Sequence, residues 1–397
     1  MLDKSFPLNA LSLLLLGGQA SATYLYVSSY SGIITTLKLN GSGSETTLEA
    51  VSSNDECGGS ASWLTLDPSN GVIYCTDEAW AGPPGAITSF ATHEDGSLSV
   101  LDTQETFVGG VSVVQYGDNN NGLGVAYYGG SAFTTWDATD PAALDLVDEF
   151  VFELEEPGAN PDRQEAPHPH QAALDPSGEF ILVPDLGADL VRTYRVAEGD
   201  FAVTPSGDLE LPAGSGPRHL TFAVHGDTTY MYLVAELSNT IFGYTVEYSS
   251  SGIDFKKIYE SGTHGEGVEV PEGASAAEIV VTSDQKYLIV SSRNENIFEI
   301  PSFDPDSDET IVSDTLINFS IDPATGALSQ LQEVPSGGRV PRHFSLNADE
   351  TQVAVVQQSD GRVVLIERDP ESGLLGDFVA AADVEGQVNT VIFNELI

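Results

Sequence analysis

The sequence predicts an all-β protein, a seven-bladed β-propeller built from four-stranded antiparallel blades. A segment rich in tyrosine, valine and leucine recurs seven times, at a spacing of roughly 50 to 65 residues, which is enough for one blade. No segment has the 3.6-residue apolar period of an amphipathic helix. The 39 glycines and 21 prolines are spread along the whole chain, as in a fold of short strands and turns. The seven segments are TYLYVSSY from Thr23, VIYCTDE from Val72, LGVAYYGG from Leu123, FILVPDLG from Phe180, YMYLVAELS from Tyr230, YLIVSSRN from Tyr287 and QVAVVQQS from Gln352.

The two ends of the chain predict how the propeller closes. The first repeat begins directly at its second strand, and the chain finishes with an apolar stretch, QVNTVIFNEL over 387–396, that has no blade of its own. We expect this last strand to complete the first blade, because closure removes the remaining open sheet edge. Residues 23–397 are therefore predicted to form a single propeller domain.

Residues 1–22 have the pattern of a cleaved secretory signal. One lysine precedes the apolar run Leu11–Leu16, and the small residues Ala20, Ser21 and Ala22 follow it. We therefore expect an exported protein, located in the extracellular space or the cell wall. The sequons at Asn40 and Asn318 are candidate glycosylation sites in that compartment.

The charge of the chain narrows the class of partner. Sixty acidic residues face fourteen basic ones, for a formal net charge of -46. A nucleic-acid partner is not expected, because phosphate binding requires a basic surface. No apolar run after the signal segment reaches about eighteen residues, so no membrane span is expected either. The oligomeric state is not determined by the sequence.

Two cysteines, Cys57 and Cys75, are the only ones in the chain. In an oxidising compartment they are expected to form one structural disulfide. The ligand set of a transition-metal site is missing, so neither a metal nor a cofactor is expected. The acidic segment 153–165 is interpreted as a solvated loop.

Alignment of the repeats selects the candidate site. His170, Arg218 and Arg342 fall on one position, at the start of the first and innermost strand of three blades. Asp185, Glu236 and Arg293 occupy the turn after the second strand, close to the same end of the channel. Equivalent positions converge on the propeller axis, so we expect these residues to meet at one mouth of the channel and to bind an anionic substrate.

The histidines divide into two groups. His168 and His170 are separated by one proline and share a face at a period of two residues, so His168 is expected to bind substrate beside His170. His219 and His343 follow the two arginines and are expected to point the opposite way, into the blade, as core histidines. The competing interpretation of Arg342 is a structural ion pair with a neighbouring carboxylate.

Several motifs together resemble those of the lactonase family of seven-bladed propellers. The resemblance covers essentially the whole chain after the signal segment and is strongest from 166 to 376. Its motifs are PHPHQAALDPSGEFILVPDLGADLV, GSGPRHLTF, AELSNTI, SAAEIVVTSDQKYLIVSSRN and VPRHFSLNADETQVAVVQQSDGRVVLIERDPESGLL. The family includes 6-phosphogluconolactonases and fungal 3-carboxy-cis,cis-muconate cyclases, and in the cyclase branch it implies a site of His170, Arg218, Glu236 and Arg293. One departure is Ser292, which stands where the family usually has asparagine.

The resemblance and the site together predict an enzyme without a cofactor. The first prediction is a cyclase of the carboxymuconate type, in which Arg218 and Arg293 hold substrate carboxylates and His170 transfers the proton. Glu236 either fixes Arg218 or shares the proton transfer. The first alternative is a lactone hydrolase, in which His170 activates water and an arginine stabilises the oxyanion. The second alternative is a secreted propeller that binds a glycan or a protein and has no activity.

Overall fold

The computed structural model describes residues 23–250 and 252–395. They form seven four-stranded antiparallel sheets, which confirms the predicted seven-bladed β-propeller. The predicted signal segment 1–22 lies outside the described residues. No helix in the described ranges is long and apolar enough to cross a membrane.

The blades follow one another in chain order and are numbered 1 to 7. Blade 1 contains β1 (Thr23–Ser29), β2 (Ile34–Asn40), β3 (Thr47–Asn54) and the C-terminal strand β30 (Val388–Asn394). Blade 2 contains β4 (Ala61–Asp67), β5 (Val72–Asp77), β6 (Gly85–Thr92) and β7 (Leu98–Thr106). Blade 3 contains β8 (Gly110–Tyr116), β9 (Gly122–Tyr127), β10 (Ala132–Asp137) and β11 (Asp145–Val151). Blade 4 contains β12 (Ala173–Leu174), β13 (Phe180–Asp185), β14 (Leu190–Val196) and β15 (Val203–Glu210).

The remaining blades have the same plan. Blade 5 contains β16 (Pro217–His225), β17 (Thr228–Ala235), β18 (Thr240–Ser249) and β19 (Gly252–Gly262). Blade 6 contains β20 (Ser275–Val281), β21 (Tyr287–Arg293), β24 (Thr315–Ile321) and β25 (Leu328–Pro335), with the hairpin β22 (Phe298–Pro301) and β23 (Thr310–Ser313) inserted after β21. Blade 7 contains β26 (Pro341–Leu346), β27 (Gln352–Gln357), β28 (Arg362–Arg368) and β29 (Leu375–Asp383). Short 3₁₀ turns occur at Gly43–Glu45, Asp118–Asn120 and Gln358–Asp360.

The ring closes as the sequence predicts. Strand β30 pairs antiparallel with β1, from Tyr24 opposite Asn394 to Ser29 opposite Val388, and becomes the innermost strand of blade 1. It also packs against the innermost strands of the two neighbouring blades, β4 and β26. Chain segments from both ends therefore seal one blade and leave no open seam.

The core lies between the blades. Every residue of β5, β9 and β13 is buried, because each of these second strands is covered by a neighbouring blade on both faces. One apolar cluster, for example, joins Tyr232 and Val234 of blade 5 to Val290 and Ile317 of blade 6. Burial on both faces explains why these strands are continuous apolar runs in the sequence instead of alternating patterns.

The sulfur atoms of Cys57 and Cys75 are bonded, with their Cα atoms 6.0 Å apart. The bond ties the connection between blades 1 and 2 to β5 and closes a loop with a sequence separation of 18. We expect the double variant Cys57→Ala/Cys75→Ala to lose about 3 kcal/mol of unfolding free energy, because the cross-link restricts the unfolded chain. Urea denaturation measures this difference. Adding dithiothreitol to the double variant should cause no further loss, and a double variant as stable as the wild type would contradict the expectation.

The two sequons occupy different environments. Asn318 lies in β24, is fully buried, and its side-chain amide donates to the carbonyl oxygen of Gly373. A glycan on that nitrogen is incompatible with this packing. Asn40 ends β2 and is half-buried, so its glycosylation stays a prediction.

Candidate active site

Polar side chains from all seven blades meet at one end of the central channel, which we call the mouth. Some of them stand at the end of the second strand of their blade, and these are Tyr30, Glu78, Tyr128, Glu236 and Arg293. Others stand at the start of the innermost strand, and these are His170, Arg218 and Arg342. Direct contacts join Tyr30, Glu78 and Arg342 into one group and, through Arg163, Tyr128, His170, Arg218, Glu236 and Arg293 into another. His170, Arg218 and Arg342 line one small cavity, which both groups border. The predicted residues His168, His170, Arg218, Glu236, Arg293 and Arg342 are therefore together, whereas Asp185 is fully buried and held by Arg192.

A bulge in the innermost strands explains why so many side chains reach the channel. The pairing register of the innermost strand with the second shifts near its start in six blades, including the step between Pro217 and His219 in blade 5 and the step between Pro341 and Phe344 in blade 7. A bulge breaks the strict alternation of a strand and re-aims a side chain. As a result Arg218 and His219 both line the channel, although they are consecutive.

Glu236 binds three guanidinium groups. Its Oε2 atom lies 3.0 Å from Arg218 Nε and 2.9 Å from Arg293 Nη2, and its Oε1 atom accepts a hydrogen bond of 2.7 Å from Arg163 Nη2. The Arg218 Nε–H does not point at the carboxylate well enough to count as a hydrogen bond, so this contact is an ion pair. Arg163 comes from the segment 153–165 that the sequence analysis interpreted as solvated, and it closes over the site.

The arginines keep Glu236 ionised despite its burial. Burial alone would raise the pKa of Glu236, but Arg293, Arg218 and Arg163 outweigh it and hold that pKa well below its usual value. Burial, with Arg293 nearby, lowers the pKa of Arg218 to about 9, so its guanidinium still carries a charge at neutral pH. The cluster is thus a fixed ionic unit over the neutral pH range.

Arg218 and Arg293 are largely occupied by the protein itself. Arg293 donates to Ser275 O at 3.0 Å, to Ser275 Oγ at 2.8 Å and to Ala276 O at 3.0 Å, and Arg218 Nη1 donates to Ala277 O at 2.7 Å. The guanidiniums with more solvent exposure are Arg163, whose side chain is 41% exposed, and Arg342, at 17%. Direct contact of Arg218 and Arg293 with a substrate stays a prediction.

His170 belongs to a hydrogen-bonded chain that passes through three blades. Its Nδ1 atom lies 3.2 Å from His219 Nε2, and His219 Nδ1 lies 2.9 Å from Glu278 Oε1. Burial raises the pKa of Glu278, but the interaction and the hydrogen bond with His219 outweigh burial and lower that pKa to about 2, so Glu278 accepts and cannot donate. We call this unit the Glu278–His219–His170 relay.

The relay fixes the tautomer of His170. Glu278 requires a proton on His219 Nδ1, and burial lowers the pKa of His219, so this ring is neutral and its Nε2 atom is an acceptor. His170 must then carry its proton on Nδ1. Burial, with Arg218 and His219 next, lowers the pKa of His170 well below its ordinary value, so its Nε2 atom presents a free lone pair at neutral pH.

The prediction that the side chains of His219 and His343 point into their blades is wrong. Both line the same small cavity in the channel as His170, Arg218 and Arg342, instead of pointing into their blades. His343 Nε2 lies 3.9 Å from Glu278 Oε2, and Trp63 packs edge-on against both imidazoles. The alternation rule failed because the bulges in β16 and β26 shift the side chains by one step.

These buried histidines predict a loss of stability in mild acid. Burial lowers the pKa of His343 to about 4 against the pull of Glu278, whereas an unfolded histidine titrates near 6.5. Between these values the unfolded chain binds more protons, so the unfolding free energy falls as the pH drops, by about 1.4 kcal/mol per unit for one histidine. His264 partly offsets this, because its contact with the Glu295 carboxylate, 3.1 Å away, overcomes burial and raises the pKa of His264.

Urea denaturation between pH 7.5 and 5 measures how steeply the unfolding free energy falls with pH. The variant His343→Gln should flatten it, and the control His93→Gln, which changes an exposed residue, should not. A wild-type protein with constant stability over this range would contradict the prediction.

His168 lies beside the relay but is bound differently. Its ring stacks on Tyr128, with centroids 4.1 Å apart and planes at 10°, and its Nδ1 and Nε2 atoms contact Tyr128 O at 2.8 Å and Glu165 Oε1 at 3.1 Å. Both ring nitrogens are therefore engaged. Its predicted contact with substrate stays a prediction.

Glu78 organises the side of the mouth opposite Arg163. Its Oε1 atom accepts hydrogen bonds from Tyr30 Oη at 2.7 Å and Ser62 Oγ at 2.5 Å and lies 3.4 Å from Arg342 Nη2, while its Oε2 atom accepts from Trp80 Nε1 at 2.7 Å. Arg342 thus forms an ion pair with Glu78, as the competing interpretation of this residue predicted. It also borders the cavity beside His170.

Comparison with known proteins identifies the family. A family model described as lactonase, seven-bladed β-propeller, matches residues 24–393.

The chain belongs to this family. Among curated relatives, a probable 6-phosphogluconolactonase of Arthroderma benhamiae is 28% identical over 362 residues, which cover 91% of this chain and 86% of the relative. The 6-phosphogluconolactonase of Bacillus subtilis is 26% identical over 320 residues, covering 80% and 82%. The structure of the periplasmic gluconolactonase of Pseudomonas aeruginosa superposes with a TM-score of 0.78 at 22% identity over 95% of this chain and 100% of that one, a likeness of fold.

The charges at the mouth of this lactonase-family chain balance. Four guanidiniums and four carboxylates stand at the mouth: Arg163, Arg218 and Arg293 contact Glu236, Arg342 contacts Glu78, and Glu165 and Glu278 contact His168 and His219. The mouth is close to electroneutral on the surface of a strongly acidic chain. It therefore offers directed hydrogen-bond donors without the excess of positive charge that a polyanion requires.

Two larger hollows lie away from this site. One is lined by turns around Gly117, Gly178 and Gly199, which follow the first and third strands of their blades and so lie at the opposite end of the channel. The other lies along the outer strands of blade 7, around Arg368 and Ser372. Neither gathers side chains from several blades, so the mouth remains the candidate site.

Five site residues were not selected from the sequence: Tyr30, Tyr128, Glu78, Glu278 and Arg163. Tyr128 and Glu78 occupy the same repeat position as Glu236, so a fuller repeat alignment would have found them. Glu278 directly precedes the apolar end of β20 and corresponds to His219 in the preceding blade. Arg163 lies in a loop with no counterpart in other blades and had no sequence signal.

Proposed function

We propose that this protein hydrolyses the lactone of a polyhydroxylated acid without a cofactor, with His170 as the general base. The observation that carries the proposal is the Glu278–His219–His170 relay, which leaves a neutral imidazole with its Nε2 lone pair free beside Arg218 and Arg342. A base in this state is ready to take a proton from water at neutral pH.

The first step forms the tetrahedral intermediate. Water gives a proton to His170 Nε2 as its oxygen adds to the lactone carbonyl carbon. The negative charge that develops on the carbonyl oxygen is stabilised by a guanidinium at the cavity, for which Arg342 is the more accessible candidate. The imidazolium that forms is stabilised by the relay, because Glu278 supplies a compensating negative charge through His219.

The second step opens the ring. The bond between the acyl carbon and the ring oxygen breaks, and the leaving alkoxide takes the proton from His170 Nε2. The product is a hydroxy acid, which ionises and releases one proton to the solvent. His170 returns to its neutral tautomer, and no oxidant, metal or cofactor takes part.

The charge balance at the mouth favours an uncharged lactone over a polyanion. Each of the four guanidiniums already faces a carboxylate, and Arg218 and Arg293 spend most of their donors on Glu236 and backbone carbonyls. A phosphate dianion or a tricarboxylate would have to compete with these pairs. The named curated relatives carry the name 6-phosphogluconolactonase, which supports lactone hydrolysis as the reaction class. The carboxymuconate cyclisation predicted from the sequence stays a prediction.

Export of this activity is part of the proposal. The signal pattern of residues 1–22 and the bonded Cys57–Cys75 pair both fit an oxidising compartment. Detection of the protein in the culture medium or cell wall, cleaved near Thr23, tests this point, and a cytosolic location would contradict it.

A substrate panel tests the reaction. Purified protein is assayed with glucono-1,5-lactone, 6-phosphogluconolactone and 3-carboxy-cis,cis-muconate, using a pH-stat for acid release and the diene absorbance for cyclisation, with spontaneous hydrolysis subtracted. We expect the highest kcat/KM with the unphosphorylated lactone. Consumption of the muconate alone would favour the cyclase, and turnover of none would favour the non-catalytic binding protein.

A further inference from the structure

Trp80 is a large aromatic side chain that the proposed reaction does not use. It lies in the turn between β5 and β6 at the rim of the mouth and is 71% exposed, the highest exposure among the large apolar side chains of the described residues. Exposing so large a ring to water forgoes its burial free energy. A single exposed aromatic residue is ordinary, but this one is fixed in place.

Three contacts hold the indole in one orientation. Its Nε1–H donates to Glu78 Oε2 at 2.7 Å, and its ring packs against Tyr30 with centroids 5.0 Å apart and planes at 45°. The backbone N–H of Trp80 lies 3.4 Å from Ser60 Oγ. The only polar atom of the indole is satisfied inside the protein, so the exposed face has no polar group of its own to hydrate.

The backbone before Trp80 is strained to place it there. Ala79 has a φ of +54°, a left-handed conformation that a residue with a Cβ atom seldom adopts. The Ala79 N–H donates to Asp77 Oδ1 at 2.9 Å, and its carbonyl accepts from the Gly82 N–H at 2.9 Å, so the strained turn is held from both sides. Strain of this kind tends to be kept where a side chain must be aimed.

Trp80 is linked to the reaction centre through one residue. Glu78, which holds the indole, also lies 3.4 Å from Arg342, and Arg342 stands over the Tyr30 ring at 5.8 Å. Arg342 borders the same cavity as His170. Glu78 therefore contacts both Trp80 and Arg342, so one residue separates the indole from the guanidinium that borders the cavity.

We propose that Trp80, Tyr30 and Arg342 form a second subsite that binds a sugar ring attached to the lactone, so that the preferred substrates are lactones of glycosylated aldonic acids. The inference rests on the proposed lactone hydrolysis. The C–H face of a sugar ring carries slight positive charge and stacks on the negative face of the indole. Its hydroxyl groups accept from the Arg342 guanidinium, which keeps donors free because only one of its nitrogens contacts Glu78.

A sugar fits this surface better than a flat aromatic ligand. Among the described residues the only aromatic ring that packs on Trp80 is Tyr30, which takes its inner side, so no second ring stands opposite to sandwich a planar ligand. The neighbouring groups are a guanidinium, a phenol and a carboxylate, which suit a ligand rich in hydroxyl groups. The subsite adds affinity for a ring beyond the lactone and leaves the chemistry at His170 unchanged.

Kinetics with paired substrates test the subsite. The lactone of lactobionic acid carries a glycosyl ring, glucono-1,5-lactone lacks it, and dihydrocoumarin is an aromatic lactone without hydroxyl groups. We expect the wild type to prefer the glycosylated lactone over glucono-1,5-lactone by about tenfold or more in kcat/KM, mainly through KM. Trp80→Ala should bring this ratio close to one while leaving kcat/KM for glucono-1,5-lactone within about twofold. Trp80→Phe should keep most of the preference.

The control is Tyr248→Ala, which removes an aromatic side chain that is 41% exposed in β18, away from the mouth. This variant should leave kcat/KM unchanged for both lactones. An equal loss for both lactones in Trp80→Ala, or no preference in the wild type, would overturn the subsite while lactone hydrolysis stands. Turnover of dihydrocoumarin that is faster than that of the glycosylated lactone and that depends on Trp80 would show a site for an aromatic ligand. This result would also overturn the sugar subsite.

Calorimetry separates the subsite from the reaction. Lactobionic acid, the product, is titrated into wild type and Trp80→Ala, with gluconic acid as the matched ligand. We expect lactobionic acid to bind the wild type more tightly than gluconic acid, and Trp80→Ala to lose about tenfold for lactobionic acid alone. If no lactone is hydrolysed but this binding difference appears, the proposed reaction fails and the sugar site stands. Equal binding of both acids would overturn the site.

Discussion

Replacing His170 by alanine is expected to lower kcat for lactone hydrolysis by roughly 10²- to 10⁴-fold, which is the usual contribution of a general base. The KM should change little, because His170 contacts the attacking water and the guanidiniums that face the lactone remain. Substitution should not unfold the blade, since the imidazole makes one hydrogen bond, to His219, among the described residues. Steady-state rates by pH-stat measure the loss, and circular dichroism checks the fold.

Variants of the relay distinguish a base from a structural histidine. Glu278→Gln removes the charge that stabilises the His170 imidazolium, so we expect a smaller loss of kcat than in His170→Ala and an acid limb of the pH profile that moves to lower pH, because the pKa of His170 falls further. In the wild type, the low pKa of His170 predicts activity that stays constant as the pH falls from 8 to about 6.5 and declines only in more acid solution. If His170→Ala kept more than about a tenth of the wild-type kcat, the assignment of the base would be wrong.

Replacing Glu236 by glutamine is expected to destabilise the protein by about 3 to 5 kcal/mol. The substitution leaves the charges of Arg218 and Arg293 buried without their shared counter-charge, and removing one partner of a buried ion pair has a cost of this size. Activity should fall as well, because Arg163 loses its anchor at 2.7 Å and the loop that carries it no longer closes the mouth.

The pH dependence of this effect follows from the lowered pKa of Glu236. A carboxyl group whose folded pKa is depressed stabilises the protein above its unfolded pKa, near 4.3, and loses that contribution as the pH falls toward the folded value. The difference in unfolding free energy between wild type and Glu236→Gln, measured by urea denaturation, should therefore be full at pH 7 and shrink below about pH 4. The control is Glu260→Gln, which breaks an ion pair with Lys257 between half-exposed side chains and should change stability by less than about 1 kcal/mol. Equal stability of both variants would show that the Glu236 cluster is not a stabilising unit.

The propeller could be predicted from the sequence because each blade repeats the same physical problem. Second strands such as Phe180–Asp185 are covered on both faces and must be apolar throughout, which makes them visible as runs. The C-terminal stretch that forms Val388–Asn394 had no blade of its own in the sequence. It predicted closure of the propeller because an apolar strand without a sheet is unstable in water. The same periodicity placed His170, Arg218 and Arg342 on one position, and rotation about the axis brought them to the mouth.

The sequence did not reveal how those side chains pair. A period of two assigns consecutive residues to opposite faces, and the bulge at Arg218 broke that rule and brought His219 into the relay. Arg163 was missed because its loop belongs to no repeat, although it provides the most exposed guanidinium of the site. Local pattern carries no information about contacts between residues that are 73 positions apart, such as Arg163 and Glu236.

By itself, therefore, the sequence determined the seven blades, their closure and part of the set of residues brought to the mouth, because repetition and burial act locally on each strand. Only the tertiary structure decided which charges neutralise one another, which nitrogen of His170 is free, and that Trp80 stands exposed at the rim. These outcomes depend on distances of about 3 Å between side chains of different blades. Such distances are set by how the blades pack and where the inner strands bulge, and no segment of the chain encodes them alone.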